Sequence, residues 1–405
     1  MDALDIVLHK DKALPYFQPV IGADKQDVIG YEVVGRFKNE EEIISLGSFF
    51  QDQSVPEEYR LDMDEYIQDQ AIQKYIDEEQ DGNLFLNVDA NLLVGDGADK
   101  FISRLRAREE NEDFDMTRVV LIITEHDFHG EVSHLKYFIQ YVQSVGIKVA
   151  IDDVEKSGTH LDRIAYLRPN IIKVNMDLID DGSFPDVYRE VLHSLSMLSR
   201  KIGAALLFKR ISTFNQLNYA WRHGARYYQG SYLEKDLSDF VDPFKYKESL
   251  KKDFHHFLDF ERKKIKAQLT LSEKLNIRLQ EALHDLKDQK DYDHLAQVVA
   301  KRLDDLCFRV YICNEDGFQQ SGNAVKVEGT WEYHPEDKSK NWSWRPYFLE
   351  NIIRMNYEGR GFLSDLYTDI HKDELIRTYS SPINEQMYVF IDIPYSYLFE
   401  QDFLL

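Results

Sequence analysis

Positive charge is scarce: 49 Lys and Arg stand against 72 Asp and Glu, a formal net charge of −23. A duplex-binding surface needs clustered cations facing many phosphates, so a broad DNA-binding role is excluded. A small anionic ligand, held by a metal or by a few local cations, is not. Cysteine is scarcer still. Cys307 and Cys313 are the only two, in a Cys-Phe-Arg-Val-Tyr-Ile-Cys run that reads as a buried strand. Six strand residues separate their Cα atoms by ~20 Å, beyond the ~7 Å limit for a disulfide. They are expected as free core thiols, in keeping with a reducing compartment. No apolar run reaches the ~18 residues of a membrane span. The N-terminus, with Asp2, Asp5 and His9 around a short apolar stretch, is no secretory signal. A cytoplasmic protein is expected.

What is present is enough apolar content, 43% of 405 residues, for more than one core, and two domains are expected. From residue 15 to 230, short apolar runs at 16–20, 28–34, 84–87, 119–124, 148–152, 171–174, 204–208 and 225–229 alternate with helical patterns such as 61–75, 132–145, 187–201 and 214–221. The first two runs are joined by a hairpin-like turn at 23–27, a departure from strict alternation. A modified TIM-type (β/α)8 barrel over residues 1–245 fits this order best; a doubly wound sheet is the alternative. Residues 246–288 contain no Gly or Pro and place Ile265, Leu269, Leu275, Leu279, Leu283 and Leu286 mostly at helical spacing, so 246–290 reads as a linker helix. A helix at 294–306, strands and Asp-Gly and Ser-Gly turns at 316–317 and 321–322 make 291–405 a small α+β domain of the PAS or Cache kind.

In a barrel of this type, functional side chains collect at the C-terminal ends of strands. Here those ends carry Asn87, Glu125, Asp152, Lys173, Lys209 and Gln229. Glu32, Asn87, Glu125 and Asp152 offer only oxygen donors, which suit Mg²⁺, Mn²⁺ or Ca²⁺ rather than zinc. His126 and His129 read as loop residues, since no second metal-binding pair accompanies them.

These residues carry a family resemblance. Tyr16-Phe17-Gln18-Pro19-Val20 followed by Glu32-Val33-Val34-Gly35-Arg36 resembles the opening of EAL domains, with Val-Val where the naming motif has Ala-Leu. Asn87, Thr124-Glu125, Asp152-Asp153, Lys173 and Gln229-Gly230 match the family's later elements in order, over about residues 14 to 236. The whole chain is similar to proteins that join an EAL barrel, a linking helix and a PAS-like domain. The resemblance implies a homodimer that binds cyclic di-GMP, and a metal-dependent phosphodiesterase activity giving pGpG. It implies Glu32, Asn87, Glu125 and Asp152 as ligands of a divalent cation, and Glu32, Asp153 and Lys173 as catalytic residues. Gln18, Arg36, Asp153, Lys173 and Gln229 would contact the nucleotide.

Two departures bear on activity. Where the family has a Phe-Gly-Thr-Gly-type loop, this chain reads Val154-Glu155-Lys156-Ser157-Gly158. Where the family has two glutamates around a second metal and its water, this chain has Lys209 and Ser212. An ammonium ~4 Å from a divalent ion repels it by about 8 kcal/mol at an effective dielectric of ~20, so the second metal is expected to be lost and hydrolysis to be weak or absent. A receptor, a working phosphodiesterase and a dimeric scaffold without nucleotide are the three readings. In the C-terminal domain, Trp342-Ser343-Trp344-Arg345-Pro346-Tyr347-Phe348 resembles the Trp/Arg/Tyr segment of Cache and PAS-like sensor pockets, which implies a site for a small carboxylate-type ligand with Tyr379 and Asp392 as partners; core packing is the alternative.

Overall fold

All eight apolar runs of the first half contribute strands. A computed structural model describes residues 3–39, 42–52, 54–94, 96–124, 128–153, 161–177, 186–286, 289–345, 348–369 and 374–399. Glu125, His126 and the 154–158 loop lie outside these. The chain divides into two compact units, Met1–His255 and His256–Leu405.

In the first unit, β1 (Ala13–Gly22), β2 (Val28–Asn39), β3 (Glu42–Ser45), β4 (Asn83–Val88), β5 (Val119–Thr124), β6 (Lys148–Asp152), β7 (Ile171–Asn175), β8 (Ala205–Lys209) and β9 (Tyr227–Tyr228) form one sheet. Its order is β1-β9-β8-β7-β6-β5-β4-β2-β3, and β1 also pairs β2, closing eight strands into a barrel with β3 outside as a hairpin on β2. β1 runs antiparallel to both of its neighbours. The cause is the tight turn after it, where Gly22 accepts from the Gln26 amide and donates to Asp27, and Gln26 adopts φ 58°. Every other neighbouring pair around the barrel is parallel and is joined through a helix. The helix Val132–Ser144 shows why these segments are helical: it buries Leu135, Phe138, Ile139 and Val142, one apolar stripe at spacings of three and four.

The side-chain period of two along a strand sets the position of the site. Val20, Phe85, Val120, Ile122, Ala150, Ile171 and Leu207 pack together as an apolar layer drawn from six strands. Two residues further toward the C-terminal rim of the parallel strands stand Asn87, Thr124, Asp152, Lys173 and Lys209, and Gln18 and Glu32 lie opposite each other on β1 and β2. Gly30 completes the layer below, where a Cβ would fall 2.1 Å from the Asn83 carbonyl oxygen.

The helix Lys247–Leu283 begins within the first unit, where Leu250 and Phe254 are buried and the Phe254 ring lies 5.8 Å from Tyr228. Among the described residues, no helix is long and apolar enough to cross a membrane.

The second unit contains an antiparallel sheet of β10 (Arg309–Asn314), β11 (Asn323–Val327), β12 (Thr330–His334), β13 (Phe362–Leu363), β14 (Tyr367–Thr368), β15 (Leu375–Pro382) and β16 (Met387–Pro394), ordered β12-β11-β10-β16-β15-β13 with β14 on β15. One face packs on Leu271, Leu275, Leu279 and Leu283 and on the helix Tyr292–Arg302. The other carries Tyr311, Cys313, Tyr388 and Phe390 against the helix Phe348–Glu358. Cys307 and Cys313 are buried and free, and burial raises both thiols. Tyr379 does not join Arg345: it belongs to the first face, where its hydroxyl lies 3.5 Å from Asn276 Oδ1. Asp392 has another partner, Arg309, at 2.6 Å.

Candidate functional site

At the strand ends, two lysines stand among three acids. Lys173, fully buried on β7, places its Nζ 2.8 Å from Glu32 Oε2 and 3.5 Å from Asp152 Oδ2. Lys209, at the end of β8, lies 2.8 Å from Asp152 Oδ1 and 2.5 Å from Asp153 Oδ1. The row therefore alternates acid and base from Glu32 through Lys173, Asp152 and Lys209 to Asp153.

Glu32 is also held by two amides. Gln229 Nε2 donates to Oε2 at 2.7 Å, and Asn87 Nδ2 donates to Oε1 at 3.1 Å. Burial alone would raise this carboxyl, but the Lys173 ammonium and the three hydrogen bonds outweigh it and hold the group at about 2. For Lys209, burial disfavours the charge, yet the carboxylates of Asp152 and Asp153 raise its pKa above the ordinary lysine value. The Lys209 ammonium is thus kept charged by the two acids it bridges.

The backbone bends to bring Asp153 into reach. Asp153 has φ 52° and donates its amide to Asp152 Oδ1 at 2.7 Å, a left-handed turn that Asp tolerates. Gly230, with φ 150°, follows Gln229 where a Cβ would sit 2.2 Å from the Ile211 amide nitrogen and carbonyl oxygen. Only glycine fits that approach.

Other expected residues stand apart. Arg36 donates from Nε to Asp236 Oδ2 at 2.8 Å, so its charge is already paired. Ser212 turns away into a helix start, its amide and hydroxyl both donating to Gln216 Oε1 at 2.7 and 3.0 Å. Gln18 occupies the register position opposite Glu32. Among the described residues, no three His, Cys, Asp or Glu side chains gather as a metal-binding group. Glu125 lies outside them. Glu32 and Asn87 are joined by a hydrogen bond, Lys173 stands between Glu32 and Asp152, and the Lys209 ammonium lies between Asp152 and Asp153. In chemistry, though not as a gathered set, the carboxylate and amide oxygens of Glu32, Asn87 and Asp152 are donors that suit a hard cation.

Sequence reasoning missed three partners. Asp236 pairs with Arg36 across about 200 residues. Gln68, buried on the helix Glu57–Asp77, donates to the Asn87 carbonyl at 3.2 Å and to Asp64 Oδ2 at 2.8 Å. Arg104 in turn donates to Gln68 Oε1 at 2.5 Å. No local pattern signals such contacts.

The profile of the EAL domain matches residues 1–236. The chain belongs to the EAL family. An EAL-domain-associated signalling protein domain matches residues 240–405, so the two profiles cover both halves. The chain is 44% identical over 407 residues to an uncharacterised EAL-domain-containing protein of Bacillus subtilis, YkuI, covering all of both sequences. The crystal structure of that EAL protein, in complex with substrate c-di-GMP and calcium, superposes over the full length of both chains with a TM-score of 0.95. The EAL fold extends further: the PaMucR phosphodiesterase in complex with c-di-GMP matches at 17% identity and a TM-score of 0.51, over 58% of this chain and 95% of that one.

Proposed function

We propose that this protein is a cyclic di-GMP receptor whose EAL barrel binds the nucleotide with one divalent cation and hydrolyses it slowly or not at all. The observation that carries the reading is Lys209, whose ammonium bridges Asp152 and Asp153. A carboxylate pair that would otherwise attract a second cation is neutralised by the chain itself. Binding is supported by the YkuI complex with c-di-GMP and calcium, from a protein 44% identical over the whole chain.

In this reading, Glu32, Asn87 and Asp152, with Glu125, hold Mg²⁺, Mn²⁺ or Ca²⁺. When bound, the cation polarises a phosphoryl oxygen and lowers the pKa of coordinated water. Lys173 and Lys209 supply positive charge facing the phosphates, and Gln18 and Gln229 line the nucleotide. Arg36 reaches a phosphate only by leaving Asp236, which makes it a contact formed on binding. The YkuI nucleotide is described as a substrate, and this favours a second reading, a slow phosphodiesterase that uses the same residues. Buried free thiols agree with a cytoplasmic protein, and pairing through the barrel would make it a homodimer.

Calorimetric titration with cyclic di-GMP, with Ca²⁺ and then with a chelator, tests the binding site. Affinity should rise with the cation and fall when Glu32 is replaced by Gln. Equal affinity in all three conditions would remove the strand-end site from the account.

A further inference from the structure

We propose that Arg210 grips a phosphate of bound cyclic di-GMP, leaving its ion pair with Asp177 to do so. The inference rests on the receptor reading and names a cation that completes its anion site.

The strand-end row is short of positive charge. Glu32, Asp152 and Asp153 face two lysines, Lys173 and Lys209, and each ammonium is already shared between two of the acids. A doubly anionic nucleotide therefore gains from a further cation that can be freed. Arg36 is closely held, its side chain 20% exposed and paired with Asp236, whereas the side chain of Arg210 is 64% exposed.

The backbone delivers Arg210 to the rim. Lys209, just before it, ends β8 and touches Asp152 and Asp153. Ile211, just after it, donates its amide to the Gln229 carbonyl at 3.0 Å, and Gln229 in turn holds Glu32. Arg210 is thus strung between groups that touch opposite ends of the row. It adopts φ 60°, in the left-handed region that side chains other than those of Asn and Asp avoid. A glycine would hold this turn without that cost. Strain at the edge of a site points to a use for the side chain.

The contact with Asp177 is too weak to be that use. Arg210 Nη1 lies 2.5 Å from Asp177 Oδ2, just beyond the end of β7, where both side chains are open to solvent and an ion pair adds little stability. The contact engages a single guanidinium nitrogen. Asp153 and Asp152 reinforce Asp177 in raising the pKa of Arg210, so its charge lies within reach of the acids that Lys209 bridges. A phosphodiester offers the planar fork two oxygens at once, the stronger arrangement. Asp177 then acts as a competitor that the nucleotide displaces.

Calorimetric titration of the full chain with cyclic di-GMP in Ca²⁺ compares the parent with Arg210→Gly, Arg210→Lys, Asp177→Asn and the double variant Arg210→Gly with Asp177→Asn. Arg210→Gly should weaken binding about tenfold without lowering the melting temperature, since glycine suits the local backbone. Arg210→Lys, which keeps the charge and loses the fork, should fall between it and the parent. Asp177→Asn should tighten binding severalfold, and that gain should vanish once Arg210 is replaced by Gly. If the ion pair were only a structural brace, both single variants would lose affinity alike. Binding by the parent with equal affinity in Arg210→Gly, or weaker binding by Asp177→Asn, would overturn the inference and leave the receptor reading standing; no binding by the parent would overturn both.

Discussion

Complete burial of Lys173 is tolerable because Glu32 and Asp152 lie within 3.5 Å of its ammonium. Removing one member of such a set leaves an uncompensated charge in place, typically worth about 3–5 kcal/mol. Lys173→Met should therefore lower stability by about that amount in urea unfolding; a change under about 1 kcal/mol would contradict the geometry. The depressed carboxyl of Glu32 has its own pH signature. Its folded value is about 2 against an ordinary 4.5, so its contribution is fully present above pH 4.5 and is lost as the pH falls from 4.5 toward 2. Glu32→Gln should show a shallower acid decline of melting temperature in that window. The chemistry of these residues was legible as charged strand ends, since a lysine within Ile171-Ile172-Lys173-Val174 is out of place in an apolar strand. The pairing was not legible. Nothing adjacent in sequence says that Lys209 takes both Asp152 and Asp153, or that Ser212 serves a helix start.

At the level of elements, the parallel strands and their helices were readable because each has its own period, two or about 3.6 residues. The β3 hairpin was not, as residues 42–45 carry too little apolar pattern to mark a strand. The brace on β4 also escaped notice, because it joins two helices and a strand end through Gln68. Gln68→Leu would strip Arg104 of an acceptor and the Asn87 carbonyl of a donor, at about 2 kcal/mol. The expected results are a lower melting temperature and weaker cation-dependent nucleotide binding; unchanged values would show the brace to be idle. Asp64 in the same network is pushed by burial up to about 7 from 3.8. Its folded form favours the neutral carboxyl, so that contribution is full below pH 3.8 and is lost as the pH rises toward 7. Asp64→Asn should accordingly gain melting temperature relative to the parent between pH 5 and pH 8; a constant difference would contradict the raised value. Gly230→Ala tests the strand-end approach to Ile211. A melt that does not change would show that the contact relaxes freely.

For the whole molecule, a two-part organisation was legible from the shift in composition after residue 240. We propose a barrel at 1–245, a linker at 246–290 and a C-terminal domain at 291–405; the first compact unit extends to His255, with Leu250 and Phe254, at the start of the helix, buried. A fragment of residues 1–262 should then melt higher than one of 1–245, which loses those two side chains; equal melting would contradict the packing. A net charge of −23 makes binding of a twofold anionic nucleotide depend on local cations, of which Lys173 and Lys209 are built in. In the proposed reading, the same Lys209 that would face a phosphate should impede turnover, since its ammonium bridges Asp152 and Asp153. Light scattering across a concentration series checks the proposed homodimer, and a monomer at tens of micromolar would contradict it. The most direct test of the central claim is pGpG formation from cyclic di-GMP by the full chain, in excess Mg²⁺ or Mn²⁺, compared with Lys209→Glu. The account predicts tight binding with little product from the parent and faster product formation by the variant. Rapid turnover by the parent, unaffected by the change at Lys209, would contradict it.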